Sequence, residues 1–292
     1  MSEETARRSA RLGMASMTLA MGLFASNDAL VKATAVTVPV AQTMAVRGLF
    51  ATLAVLAFIA VARPKSAFSG VASPLVTLRS LSEALGIFCL IVAFTRLPIG
   101  DVTAVSQSVP LLLLPAAAIV LKERITLAQW GLVLLGFFGI LLIAKPTAAG
   151  FDPTMGLVLI TLVCFAFRDL TARRLPLSIS NTAVTLSTVG VVMIIAAAVA
   201  TAQGFVPMTR QEVLQLALSG VLLAGGQAAV MLAFRLGSVA DVGPFNYTKS
   251  FFALTFGVAF FGERPDLMTF AGMGLVVVSG LCVALGIGRS RG

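Results

Sequence analysis

The chain has 292 residues, of which 58% are hydrophobic and only 11% are charged, and its mean hydropathy is +1.01. An ordinary soluble domain carries about 25% charged residues, so this composition excludes a water-soluble protein. The chain has no His, three Cys and no G-x-x-x-x-G-K-[ST] loop, which excludes haem proteins, histidine-dependent hydrolases and ATP-driven engines and predicts no disulfide framework, metal site or cofactor.

Ten apolar segments follow one another along the chain, each near the roughly 20 residues that a helix needs to cross a bilayer. Most prolines fall at or near segment ends, where a helix tolerates them. Pro110, Pro115 and Pro244 lie inside segments and are expected to loosen the helical hydrogen bonding nearby. The first segment is closely followed by another span and reads as a mature helix, not a cleaved signal peptide. The predicted spans are residues 12–34, 38–62, 74–95, 101–121, 126–144, 154–173, 179–201, 212–235, 241–261 and 266–287.

The basic residues are unequally divided between the two predicted membrane faces. With the N-terminus in the cytoplasm, twelve Lys and Arg fall on the inner face and five on the outer face. This bias, with an even number of spans, predicts a multi-pass protein of the plasma (bacterial inner) membrane whose N- and C-termini are both cytoplasmic. The net charge of +9 is therefore assigned to contacts with membrane lipid, and no nucleic acid partner is expected. The outer residues are Lys32, Arg96, Lys145, Arg210 and Arg264.

An internal repeat relates the two halves of the chain. Residues 101–126 align with residues 241–266 at an offset of 140 residues without a gap. A weaker match at an offset of 141 residues places Asn27 over Arg168. Each half holds five spans, and because five is odd, the second half crosses the membrane in the opposite sense. Inverted repeats of this kind are typical of secondary transporters.

Short motifs in segments 2, 4 and 9 carry a family resemblance. The sequence MAVRGLFATLAVLAF, and the sequences LKER and FGERPD that close segments 4 and 9, resemble the EamA-type drug/metabolite transporter superfamily, most closely its YddG-type amino-acid exporters. The resemblance covers nearly the whole chain. It implies an all-α membrane protein of ten transmembrane helices, arranged as two inverted five-helix repeats, residues 1–146 and 147–292, around a central cavity. Because these motifs recur with many cargo classes, they indicate the fold better than the substrate.

Lys249 and Glu83 are charged residues deep inside predicted spans. At a rise of about 1.5 Å per residue, they lie roughly 12 and 13 Å from the cytoplasmic ends of segments 9 and 3. A charge at mid-bilayer costs about 2.5 kcal/mol or more. We therefore expect both to face one cavity, where they hold the two ends of a zwitterion and neutralise each other when the site is empty. The alternative is a structural ion pair that fastens segment 9 to a neighbour.

Uncharged polar residues extend this predicted site. Ser106 and Gln107 overlay Asn246 and Tyr247 at the 140-residue offset, so the two pairs enter the membrane from opposite faces. Interhelical hydrogen bonding is the alternative role for such groups. The predicted substrate-binding residues are Lys249, Glu83, Tyr247, Asn246, Gln107, Ser106, Gln227, Asn27 and Arg168.

Other charged residues in the spans are assigned structural roles. Asp28 and Asp169 each have a basic residue four positions later, which predicts a local ion pair on one helix face. We expect Arg47 and Arg79 to serve packing, helix positioning or headgroup contacts. The expected local pairs are Asp28 with Lys32 and Asp169 with Arg173.

The sequence therefore predicts a secondary transporter, not an enzyme. The expected activity is export of a small polar or zwitterionic metabolite, with amino acids as the first choice, by alternating access of two inverted halves around a midplane site. A lipophilic-cation or drug exporter is the alternative within transport, and an integral-membrane enzyme or scaffold is the alternative from another class. Small residues in segments 5 and 10 permit close helix packing, so a monomer and a homodimer are both compatible with the sequence.

Overall fold

The structure, a computed structural model, is all-α over the residues that it describes, which are 3–63, 67–120, 126–144, 153–172, 174–176, 178–236 and 242–285. Within these described residues, seven helices, α1 to α3 and α6 to α9, are long and apolar enough to cross a membrane. The helices are α1 Glu3–Ala35, α2 Val40–Ala62, α3 Pro74–Phe94, α4 Ile99–Ser106, α5 Val109–Val120, α6 Leu127–Ala144, α7 Pro153–Ala172, α8 Asn181–Gln203, α9 Arg210–Leu236, α10 Thr248–Phe261 and α11 Leu267–Ala284, and the 3-10 turn Gly243–Tyr247 precedes α10.

The fourth and ninth predicted spans are broken helices. In the fourth, α4 ends at Ser106 and α5 begins at Val109, so Pro110 stands in the first turn of a new helix, where its missing N–H costs no hydrogen bond. In the ninth, Pro244 lies in the 3-10 turn that leads into α10. Pro115 lies inside α5 without ending it. Counting each broken pair as one, the described residues form ten helical segments, as the sequence predicts.

The helix contacts repeat between the two halves. Helix α1 of the first half packs against α9 of the second half, and equivalently α7 of the second half packs against α3 of the first half. The contact of α2 with α9 has its counterpart in the contact of α8 with α3. Helices α2 and α8, and likewise α6 and α11, pack on their own symmetry equivalents. Exchanging the five segments of one half for those of the other therefore reproduces the packing, as two inverted repeats require.

Helices α6 and α11 approach closely at a pair of glycines. A Cβ built on Gly272 would lie 2.6 Å from the backbone oxygen of Gly139, and one built on Gly139 would lie 2.8 Å from the oxygen of Gly272. A methyl group at either place has to move one helix away from the other, which typically costs about 1–3 kcal/mol. Nothing lies within 4 Å of a Cβ built on Gly274, in the same helix.

This contrast gives a stability prediction. We expect Gly272→Ala to lower the thermal unfolding temperature of the detergent-purified protein by several degrees, because the added methyl separates α6 from α11. Gly274→Ala is the matched control and should leave that temperature unchanged. Equal melting of the two variants would contradict the close approach of the helices.

Candidate substrate cavity

A central cavity lies between the two halves. It has a volume of about 220 Å³ and is lined by residues of α1, α2, α3, α7, α8, α9 and α10. Aliphatic and aromatic side chains form most of its wall, so the charged groups within it stand in a medium of low dielectric constant. The charged residues that line it are Asp28, Arg47, Arg79, Glu83, Arg168 and Lys249.

Lys249 forms its ion pair with Asp28, and the pairing with Glu83 expected from equal depth is wrong. Lys249 Nζ lies 2.8 Å from Asp28 Oδ2, and Asn27 Nδ2 donates to Asp28 Oδ1 at 2.8 Å. The reason is helix adjacency. Helix α10 packs against α1, which carries Asp28, whereas α3, which carries Glu83, packs against α7 and α8. The expected pair of Asp28 with Lys32 is also wrong, because Lys32 turns to Glu263.

Glu83 is held instead by two guanidinium groups. Its Oε1 lies 3.2 Å from Arg168 Nη1, and its Oε2 lies 3.1 Å from Arg79 Nη1. Arg79 also donates to the Thr188 hydroxyl at 2.9 Å, so this arginine has a place in the ionic wall of the cavity. Arg168 Nε donates to Asp169 Oδ1 at 2.7 Å. The expected partner of Asp169, residue 173, lies outside the described residues.

A second cavity, of about 210 Å³, adjoins the first. The two linings share three aromatic rings, one leucine and two cations, which lie where the cavities meet: Phe24, Phe94, Phe165, Leu90, Arg168 and Lys249. Phe24 and Phe165 are equivalent at the 141-residue offset. The predicted residues Ser106, Gln107 and Asn246 all line the second cavity.

The broken helices place these three polar residues in the cavity wall. Gln107 lies between α4 and α5, and its Nε2 donates to the backbone oxygen of Asn246 at 2.9 Å. This bond joins the break in one half to the 3-10 turn in the other. The Ser106 hydroxyl donates to the Val102 oxygen in its own helix at 2.7 Å.

Tyr247 lies outside both cavities, contrary to the sequence prediction. Its side chain is buried against Gly280 of α11, where a Cβ would collide with the ring. Successive residues of a helical turn point about 100–120° apart, so Asn246 faces the cavity while Tyr247 faces α11. Equivalent positions in the two repeats therefore have equivalent backbone locations, but the direction of each side chain depends on the local geometry of the turn.

The placement of Tyr247 leads to a prediction for transport. Its hydroxyl has no hydrogen-bond partner among the described residues. We therefore expect Tyr247→Phe to transport at the wild-type rate in proteoliposomes, within about twofold, because packing requires only the ring. Gln107→Ala is the comparison and should slow transport. A large loss of transport in Tyr247→Phe would contradict this placement and would assign the hydroxyl a role in substrate transport.

Two polar networks occupy equivalent positions on the two sides of the pseudo-two-fold axis. In one, the Asn27 Oδ1 accepts from the Ser219 hydroxyl at 2.7 Å and from Arg47 Nη1 at 3.5 Å. In the other, Arg79 bonds to Thr188 and Glu83, and Glu83 to Arg168. The remaining predicted residue, Gln227, lines the central cavity from α9. The equivalent pairs are Asn27 with Arg168, Arg47 with Thr188 and Ser219 with Arg79.

Comparison with known proteins assigns the family. The profile of the EamA-like transporter family matches the chain twice, at residues 11–145 and 153–285. The chain belongs to the EamA-like transporter family. This EamA-like protein is therefore a multi-pass membrane transporter of a small molecule, as its relatives are.

Curated relatives of this EamA-like transporter carry several different cargoes. A pseudopaline exporter of Pseudomonas aeruginosa is 28% identical over 268 residues, covering 91% of this chain and 93% of its own. An S-adenosylmethionine uptake transporter of Rickettsia conorii is 25% identical and covers 70% of each chain. A riboflavin transporter of Rhizobium johnstonii is 24% identical over 70% of this chain and 68% of its own. A solved crystal structure, 19% identical, has the same fold over 95% of this chain and 97% of its own, with a TM-score of 0.63.

The central cavity of this EamA-like transporter is open towards one end of the helices. A further space of about 440 Å³, lined by Asn181, Phe234 and Arg235, adjoins it through Arg79 and Gln227. At the other end, most of the positions equivalent to this opening are buried. Phe234 is 46% exposed, whereas its equivalent, Phe94, is 1% exposed. The same holds for the part-exposed Val184, Thr185, Val230 and Met231, whose buried equivalents are Thr43, Met44, Leu90 and Ile91.

At the closed end a polar cluster joins the two halves. Lys32 Nζ lies 2.6 Å from Glu263 Oε1 and donates to the Leu97 oxygen at 2.7 Å. The Ile99 N–H, at the start of α4, donates to both oxygens of Glu263 at 2.9 and 3.0 Å. Lys32 also stands over the Phe261 ring, 5.0 Å from its centroid. We refer to Lys32, Glu263, Leu97 and Ile99 as the latch.

Proposed function

We propose that this EamA-like transporter is a secondary transporter that exports a small amphoteric metabolite, an amino acid or a compound built like one. The observation that carries the proposal is the presence of both signs of charge on facing walls of the central cavity. Asp28 and Lys249 stand on one wall, and Glu83 stands with Arg79 and Arg168 on the other. A zwitterion offers one partner for each sign.

The energetics of buried charge favour such a cargo. A charge removed from water needs a partner or a hydrogen bond, and removing one member of a buried pair costs about 3–5 kcal/mol. A cargo that carries both an amine and a carboxylate can separate an ion pair of the cavity and leave each member with a new partner. A lipophilic cation cannot do so, because it satisfies Asp28 or Glu83 and leaves their arginine or lysine partners without an anion.

The open end and the charge bias support export as the proposed direction of transport. With the basic face in the cytoplasm, the end at which Asn181 and Arg235 lie is cytoplasmic, and both termini face the cytoplasm of a plasma-membrane protein. The cavity then loads from inside. The pseudopaline exporter, which this chain matches over 91% of its length, is consistent with export, although the Rickettsia relatives are named as uptake transporters.

Transport in reconstituted vesicles tests the proposal. Phosphatidylcholine liposomes that contain the purified protein should release preloaded labelled amino acids faster than protein-free liposomes loaded in the same way. Unlabelled zwitterions should compete with the labelled amino acids for transport. The cationic dye ethidium should not compete. Movement of ethidium without movement of any amphoteric solute would favour the drug exporter and overturn the proposal. If neither ethidium nor any amphoteric solute is transported, the alternative of an integral-membrane enzyme or scaffold is favoured.

A further inference from the structure

Arg47 is a buried guanidinium that has no carboxylate partner among the described residues. The residue is 5% exposed and lines the central cavity. Its Nη1 reaches only an amide oxygen, Asn27 Oδ1, at 3.5 Å, and its Nε has no hydrogen-bond partner in the described chain. A guanidinium does not lose its proton in a protein, so deprotonation cannot relieve its charge. The carboxylate of Asp28 attracts Arg47 but already forms the ion pair with Lys249, so Arg47 has no anion of its own among these residues, which indicates a missing anion.

The charge balance of the two adjoining cavities agrees with this reading. Within the described chain they are lined by four cations and three carboxylates, so one positive charge is in excess. Lys249 has Asp28, and Arg79 and Arg168 have Glu83 and Asp169 between them. The excess charge is therefore located at Arg47.

We infer that Arg47 binds a carboxylate of the cargo, and that the cargo carries one more negative than positive charge. The inference rests on the proposed function and narrows it from zwitterions to acidic amphoteric metabolites. Planar guanidinium groups bind carboxylates through two parallel hydrogen bonds. In Arg47 the Nε has no hydrogen bond to lose, and Nη1 has only the 3.5 Å bond to Asn27 Oδ1, so both nitrogens can donate to a carboxylate at little cost.

The neighbours of Arg47 complete this site. Asn27 accepts from Arg47 through Oδ1 and donates to Asp28 through Nδ2, and Asp28 pairs with Lys249. Arg47, Asp28 and Lys249 are thus joined through one amide. An acidic amino acid matches this row of groups, with its amine on Asp28, one carboxylate on Lys249 and the second carboxylate on Arg47.

Isosteric pairs of solutes test the inference. Glutamate and glutamine, and aspartate and asparagine, differ by one charge at nearly constant shape. In phosphatidylcholine liposomes we expect the acid of each pair to be transported, or to compete, at least about tenfold better than its amide. Arg47→Gln should bring this ratio close to one, and Arg47→Lys should keep part of it. Arg96→Gln, which removes an exposed arginine that lines neither cavity, is the matched control and should keep the full ratio.

The possible outcomes separate the inference from the proposed function. Transport of the amides equal to or better than that of the acids in the wild-type protein overturns the inference and leaves the proposed function in place. Failure of all four solutes and of other zwitterions overturns the proposed function itself. Thermal unfolding checks the fold, and Arg47→Gln should melt no lower than wild type because it removes an unpaired charge. Stabilisation by added phosphatidylglycerol that depends on Arg47, without any preference for acids, would assign the anion to a lipid headgroup and refute the inference.

Discussion

Lys249→Met should lower transport at least tenfold, to a level of about one tenth of wild type or less. The substitution keeps the length of the side chain and removes the amine that stands where the two cavities meet. Asp28 then loses its ion pair, and the cargo loses a partner for a carboxylate. The cost in stability should be smaller than that of a fully unpaired buried charge, because Asp28 can take up a proton.

Two double variants distinguish a role of Lys249 in cargo binding from a purely structural role between helices. Asp28→Asn with Lys249→Met removes both members of the observed pair and should restore the unfolding temperature without restoring transport. Glu83→Gln with Lys249→Met is the matched control, and it should melt below both single variants, because Glu83 belongs to Arg79 and Arg168. Initial transport rates and thermal unfolding are measured on the same preparations. Full recovery of transport in the first double variant would show that Lys249 has only a structural role, as an ion pair that holds α10 against α1.

The fold of this chain can be predicted from its sequence for a physical reason. Length and apolarity of a span are local properties, so ten segments and their breaks near Pro110 and Pro244 can be read from the chain directly. The inverted arrangement follows from the repeat offset and an odd number of spans in each half. Both are independent of which helices later become neighbours.

The partners of the charged residues depend on helix adjacency, which depth alone does not encode. Lys249 and Glu83 share a depth, yet α10 packs on α1 and α3 packs on α7, so their partners differ. The sequence predicts packing, helix positioning or headgroup contacts for Arg47, although the 141-residue offset places it over Thr188, a polar residue in the equivalent helix. That match, extended from the first segment to the second, is the signal that would have placed Arg47 in the cavity.

The latch predicts how the transporter changes state. In a protein of two inverted repeats, the second state is expected to exchange the roles of equivalent positions, so that the surface around Ile91 opens and the surface around Met231 closes. The latch holds the present state, because Glu263 of one half bonds to Lys32 and to the Ile99 N–H of the other half. Hydrogen bonds to a charged group contribute about 1.5–3 kcal/mol each, so the loss of even one of them should shift the populations of the two states about tenfold or more.

Glu263→Gln should therefore reverse the accessibility of the two ends. In a background in which Cys89, Cys164 and Cys282 are replaced by Ala, a cysteine at Met231 should react quickly with a water-soluble maleimide and one at Ile91 slowly. Adding Glu263→Gln should slow the first reaction and speed the second, each several-fold.

Glu212→Gln is the matched control. It removes a carboxylate of α9 that accepts from Thr37, in the turn that follows α1, at the same end. Because α1 and α9 already pack together along their length, both labelling rates should stay as they were. If Glu263→Gln leaves both rates unchanged as well, the latch does not hold the closed end. If it speeds labelling at both positions, the variant has loosened the helix bundle and has not exchanged one state for the other.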